Sequence, residues 1–394
     1  MLSINIEDVI KVLNSMKPQL IGFGVVLVLA IVAMIASMKL PKAKKYMIRC
    51  QAGLAILLAL VITVNLICFG PMNTMISLAT GSGSISEETS AEATDLVEDI
   101  ADEGIVLLKN EGSTLPLTAG NLNVFGWAST NPVYGGTGSG ALNDAYHTVT
   151  LLEGLENAGF TLNTELSDFY TAYRADRPTI AMGTQDWTLP EPPASTYTDE
   201  MMANAKAFSD TALVVISRSG GEGADLPTDM AAVIDGSWQD GTTSYAGSSN
   251  NSTEYADFEQ GQHYLELSKT ERDMLDLVCS NFENVIVVYN GANTMELGFV
   301  DEYAQIKSVL WCPGTGQSGF NALGSILAGT VNPSGKTADT FVYDLTATPT
   351  WNNFHAFSYT NADEFAAAGF MIKSTTPRFI NYNESIYVGY RFYE

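Results

Sequence analysis

The chain has 394 residues, with 19 Lys and Arg set against 44 Asp and Glu for a formal net charge of −25. Residues 1–50 hold seven basic and two acidic side chains, so the acidity belongs to the remainder; such a surface repels phosphate backbones and excludes a nucleic-acid partner. At 46% apolar and 10% aromatic the composition can bury a core, which excludes disorder over most of the length.

Two apolar runs come first. Leu20 to Met38 is 19 residues without a charge, and Ala52 to Phe69 is 18 residues interrupted by Asn65 before Gly70-Pro71 ends it. At 1.5 Å per residue each matches a hydrocarbon core of about 30 Å, so residues 20–70 read as a transmembrane hairpin. A signal peptide would have one shorter apolar region and no second span. Lys39, Lys42, Lys44, Lys45 and Arg49 crowd the connector. Positive-inside asymmetry therefore puts loop 39–51 in the cytoplasm, with the short segment 1–19 and residues 71–394 outside. Residues 71–90, Gly/Ser-rich towards their end, read as a flexible tether.

Beyond it, helical and strand patterns alternate. Helix spacing predicts helices over 92–108, 149–158, 165–175, 199–209, 268–280 and 318–327. Continuous apolar runs at 122–127, 212–216, 285–289 and 308–311 predict strands covered on both faces. The fold class that follows is α/β: a three-layer αβα sandwich with a mainly parallel sheet over 91–394, behind the two-helix membrane hairpin. Residues 226–262, rich in Gly, Ser, Asn and acids without a period, read as a surface insertion. Cys279 and Cys312 read as buried free thiols, with a bridge between them the alternative.

Several motifs fail on inspection. Gly314-Thr-Gly-Gln-Ser-Gly319 fits a dinucleotide fingerprint literally, but Pro313 precedes it and no acid follows on a next strand; packing is the better reading of its glycines. Gly329 to Thr337 has five residues where a P-loop needs four. His147, His263 and His355 are far apart and read as ordinary histidines, so neither a metal nor a cofactor is expected. No G-x-S-x-G elbow follows a strand. Trp238 reads as an incidental surface aromatic rather than a sugar platform.

The informative segment is Ser217-Arg-Ser-Gly-Gly-Glu-Gly-Ala-Asp225, which leaves a strand's carboxyl end, where parallel α/β sheets place ligands. Gly221 and Gly223 flank Glu222 and leave its carboxylate unshielded. Two readings stand: a solvated Glu in a turn, or a general acid partly desolvated by a bound sugar.

Over most of residues 90–394 the chain resembles the glycoside hydrolase family 3 enzymes, β-glucosidases and their relatives. The stretches that carry the resemblance are Glu103 to Glu111 with Leu115-Pro-Leu117, Tyr134-Gly-Gly-Thr-Gly-Ser-Gly140, and Arg218 to Asp225. Pro313 to Gly319, Asn332-Pro-Ser-Gly-Lys336 and Ile386 to Tyr393 follow in order. The resemblance implies retaining hydrolysis of O-glycosyl bonds, with Glu222 as acid/base, and Asp225 and Arg218 as substrate-binding residues. Leu226 departs from the usual Arg. The loop Tyr134 to Gly140 is expected to help shape a domain interface. In the family the nucleophile is an Asp of a (β/α)₈ barrel, the expected intramolecular partner, and Ser167-Asp168-Phe169, similar to its motif, lies inside a helical pattern. The sequence thus reads as a cell-membrane, inverted-order member whose sequence ends before its barrel, and the isolated chain is expected to be inactive. The rivals are a non-catalytic cell-surface carbohydrate-binding or scaffold protein and a nucleotide-binding membrane protein.

Overall fold

The computed structural model describes residues 6–81, 85–142, 146–173, 175, 184–185, 187–222, 226–235, 247–248, 258–351, 353, 357–365, 367–369, 372–375 and 378–393. They form two compact units, residues 1–86 with 359–377, and residues 87–358 with 378–394.

The first unit is built on α1 (Ile6–Ala36), a 3₁₀ turn Ser37–Lys39, α2 (Lys42–Cys68) and α3 (Asn73–Thr80). Asn14–Lys39 and Lys42–Cys68 are each long and apolar enough to cross a membrane. Ala30 and Ala52 are buried where α1 meets α2, while Val25, Leu29, Val32, Leu54, Leu58 and Val61 face outwards. The connector is shorter than expected. Pro41 sets an extended backbone just ahead of α2, and the straight-chain lysines then favour helix, so Lys42 to Arg49 form its first turns rather than a loop. Asn65 satisfies itself by donating to Val61 O at 2.8 Å. The expected tether also carries structure, since α3 and the start of α4 (Glu87–Gly104) take up much of 71–90. A small antiparallel pair, Ala367–Gly369 with Ile372–Thr375, completes this unit.

The second unit begins with α4. Its strands are β1 (Val106–Asn110), β2 (Asn121–Phe125), β3 (Thr161–Leu162), β4 (Thr184–Gln185), β5 (Thr211–Ser217), β6 (Gly247–Ser248), β7 (Asn284–Asn290) and β8 (Ile306–Cys312), with a further short antiparallel pair, Phe357–Ser358 with Arg378–Phe379. Six of them form one sheet in the order β1-β8-β7-β5-β2-β3, parallel except for antiparallel β1 at the edge; β4 and β6 pair separately. Alternate residues of each central strand feed opposite layers. Val214, Ile216, Val287 and Tyr289 pack on α6 (Thr164–Ala172), α7 (Asp199–Phe208) and α9 (Lys269–Asn281). Leu213, Val215, Ile286 and Val288 pack on α5 (Leu151–Asn157) and α10 (Phe320–Ala328). This is the three-layer αβα arrangement. Capping boxes at Thr150/Glu153 and Ser268/Glu271 start α5 and α9 and satisfy first-turn amides.

Two expectations fail here. The helix expected over 92–108 stops at Gly104, and Val106–Asn110 become β1: the apolar run Val106 to Leu108 pairs with the edge of β8 instead of extending the helix. The insertion 226–262 is not all surface. α8 (Met230–Asp235) and the segment from Phe258 bury Met230, Val233, Phe258 and Tyr264 around Trp187 and Leu189. Those few apolar side chains were hidden in a polar background. Trp238 and His355 lie outside the described residues.

Candidate active site

From β2 the chain steps outwards to β3, then returns to the other side of β2 for β5, so the strand order reverses between β2 and β5. In doubly wound sheets the crevice at such a switch point, outside the carboxyl ends of the strands, is where ligands bind. The loops that leave β2 and β5 there are 126–140 and 218–222.

Asn290, at the end of β7, grips the first loop: its Oδ1 accepts from Val133 N at 2.6 Å and its Nδ2 donates to Val133 O at 3.0 Å. Tyr134 O accepts from Gly316 N at 2.8 Å, and the Tyr134 ring packs edge-on against Phe320. A Cβ on Gly314 would lie 3.0 Å from Tyr134 O, and one on Gly319 would lie 2.9 Å from Ala101 of α4. The glycines of the 314–319 fingerprint therefore serve close packing against the Tyr134 loop and α4. Lys336 is exposed in an irregular segment with no helix behind it, which removes the P-loop likeness.

The second loop is anchored by Arg218. Its Nε donates to Tyr264 O, Nη1 to Ser217 O and Glu271 Oε1, and Nη2 to Glu266 O and Glu271 Oε2, at 2.5–2.9 Å. Burial alone would lower the guanidinium pKa, but the charge and hydrogen bonds of Glu271 raise it. Arg218 is fully buried with all five N–H groups engaged, so it has none left for a sugar. This corrects its expected substrate-binding role: it is the clamp that fixes the base of the loop. Ser219 N donates to Tyr264 Oη at 3.0 Å and tightens the same anchor.

Glu222 stands exposed at the tip. Its Oε2 accepts from Ser139 Oγ at 2.7 Å and from Ser139 N at 3.1 Å, and its carbonyl accepts from Thr137 Oγ1 at 3.0 Å. The two Ser139 donors favour the carboxylate and hold its pKa below the ordinary value. Contact is close because glycines face it. A Cβ on Gly136 would lie 2.6 Å from Gly220 O, and one on Gly221 would run into Thr137 N. The glycine loop and the Glu222 loop thus form one unit. Asp225 lies outside the described residues.

The model of the glycosyl hydrolase family 3 C-terminal domain matches residues 105–390. The chain belongs to that family. β-Glucosidase A of Butyrivibrio fibrisolvens is 33% identical over 297 residues, 74% of this chain and 31% of that protein. Among solved structures, a β-glucosidase of Paenibacillus barengoltzii aligns at TM-score 0.57 and 28% identity, over 79% of this chain and 28% of that one. β-Glucosidase 3B of Thermotoga neapolitana in complex with glucose aligns at 0.56 and 25%, over 78% of this chain and 36% of that one. This family 3 chain spans about a third of the curated relative's length.

Other groups in this family 3 domain bear on the site. A cavity of about 40 Å³ lies beneath the two loops, lined by Trp127, Val133, Glu191, Ser217, Ser219 and Tyr264. Pockets for small molecules run from about 300 Å³, so it admits water and not a pyranose. Glu191 is buried, accepts from Trp127 N at 2.7 Å and Tyr197 Oη at 2.5 Å, and was not legible because Trp127 lies 64 residues away. Burial, then the nearby Glu191, pushes the Tyr170 and Tyr197 phenols far up. His263, Glu266 and Glu296 converge, with ligand atoms within 4.8 Å of one another. Yet His263 Nδ1 accepts from Leu265 N, so its Nε2 carries the proton and donates to Glu296 Oε1 at 3.1 Å. The trio is a hydrogen-bonded clamp. His147 is an exposed partner of Glu153, and Asp168 is exposed in the middle of α6.

Proposed function

We propose that this chain is the acid/base domain of a membrane-anchored glycoside hydrolase that hydrolyses β-glucosides or similar sugars with retention, and that Glu222 is the acid/base. The observation that carries this reading is the position of Glu222: an exposed carboxyl on a loop at the switch point of the sheet, bound to a glycine loop that holds it in one place. In the first half of the reaction Glu222 gives a proton to the glycosidic oxygen as the bond to the anomeric carbon breaks. In the second, its carboxylate takes a proton from the water that releases the sugar.

Retention needs a second carboxyl about 5–5.5 Å from the first, to form the glycosyl–enzyme bond. That group is assigned to a (β/α)₈ barrel acting with this domain, which would also supply the sugar pocket that a 40 Å³ cavity cannot. Asp225 is proposed to support substrate binding beside Glu222. α1 and α2 are proposed to anchor the domain in the bilayer, with Lys39 to Arg49 in the cytoplasm and the sandwich outside the cell.

A chimera tests the assignment: residues 105–390 replace their counterpart in the Butyrivibrio β-glucosidase, and aryl β-glucoside hydrolysis is measured. The chimera should turn over, and Glu222→Gln should lower kcat/KM by about 10²–10⁴. Full activity in the Glu222→Gln chimera would sink the acid/base assignment. The 394-residue chain by itself should show no turnover.

A further inference from the structure

Glu222 has two donors on the same neighbour, and they differ in kind. The Ser139 amide can only donate, and so always favours the ionised carboxylate; the Ser139 hydroxyl can donate or accept by turning about its Cβ–Oγ bond. The approach depends on Gly138, which has φ +65°, because a Cβ there would lie 2.6 Å from Glu222 Cβ and 2.8 Å from its Oε2.

No described charged group competes for this carboxyl. Tyr134 is the only titratable side chain over 131–141, and its ring packs on Phe320. On the Glu222 loop, Arg218 is committed to Glu271. Asp225, beyond the loop tip, falls outside the described residues.

We propose that Ser139 is the positioning residue of Glu222: its hydroxyl donates to the ionised carboxylate and turns to accept when Glu222 is protonated, so one contact holds both states of an acid/base. This rests on the reading of Glu222 given above. Before bond cleavage Glu222 Oε–H points to Ser139 Oγ or to the glycosidic oxygen. Once the proton has left with the departing alcohol, both Ser139 donors close on the carboxylate.

The test is a carboxyl ¹³C titration of the full chain in detergent, labelled at Glu, with the Glu222 signal assigned by its loss in Glu222→Gln. Removing a donor from a carboxylate raises its pKa, so Ser139→Ala should move the Glu222 midpoint to higher pH. Ser139→Thr, which restores the hydroxyl, should return it towards the wild-type value. In the chimera the alkaline limb of kcat/KM should shift upwards in Ser139→Ala and recover in Ser139→Thr. A midpoint unmoved in Ser139→Ala, or moved as far by Ser139→Thr, would overturn the proposal. The two readings fail separately. Retained turnover in Glu222→Gln removes the catalytic role while the titration still reports the contact; an unmoved titration with turnover lost in Glu222→Gln removes Ser139 alone.

Discussion

Arg218 and Glu222 lie four residues apart on one loop, yet one is sealed in the core and the other is open to solvent. Losing the guanidinium would leave Glu271 buried without its partner, a defect of about 3–5 kcal/mol for buried pairs. Arg218→Met should therefore cost about that much in urea unfolding of the detergent-solubilised chain, and adding Glu271→Leu should recover a large part. If Arg218→Met unfolds with the wild-type midpoint, the clamp is not what holds the loop. Glu222 has the opposite linkage, without buried charge. Its pKa is lowered by the two Ser139 donors, so the stability added by the ionised contact is present above the ordinary carboxylate range and falls away as pH drops through the lowered value, where the neutral form of the contact remains. The sequence made Glu222 legible because two flanking glycines mark an exposed tip. It could not reveal Arg218's role, because Glu271 is 53 residues away, nor Ser139, 83 residues before Glu222; the first pairing exists only once α9 packs on β5, the second only once β2 and β5 lie side by side.

The central strands were readable as elements because β5, β7 and β8 are buried on both faces and need uninterrupted apolar runs. β1 escaped for the same reason in reverse: Ile105 to Leu108 continue an amphipathic helix on paper, and only the free edge of β8 makes a strand from Val106 onwards. The fit of α5 against α10 was equally invisible. Gly154 and Gly324 face each other there so closely that a Cβ on either would strike the other helix's backbone. In an isolated helix Gly→Ala is stabilising by roughly 0.5–1 kcal/mol. At Gly324 the sign should reverse, because overpacking a tight contact typically costs about 1–3 kcal/mol. Thermal unfolding of Gly324→Ala should show a lowered midpoint, and a raised one would mean that the helices can part without penalty.

At the scale of the whole molecule, the charge asymmetry and two apolar runs were plain in the sequence, whereas the route of the chain between them was not. The four cysteines turn the proposed membrane orientation into an experiment without any added label. All are free; Cys279 and Cys312 are buried, and burial pushes both thiols up to about 12, so neither should react at neutral pH in the folded chain. Cys50 lies near the lysine-rich end of α2, and Cys68 is its last residue. At 1.5 Å per residue the two are about 27 Å apart along the helix, close to the thickness of a hydrocarbon core. A membrane-impermeant maleimide added to intact cells should therefore label Cys68 and spare Cys50, and Cys68→Ser should abolish the signal until the membrane is permeabilised. Labelling of Cys50 alone would place the lysines outside and invert the topology. Labelling of both from outside would mean that α2 does not cross the bilayer.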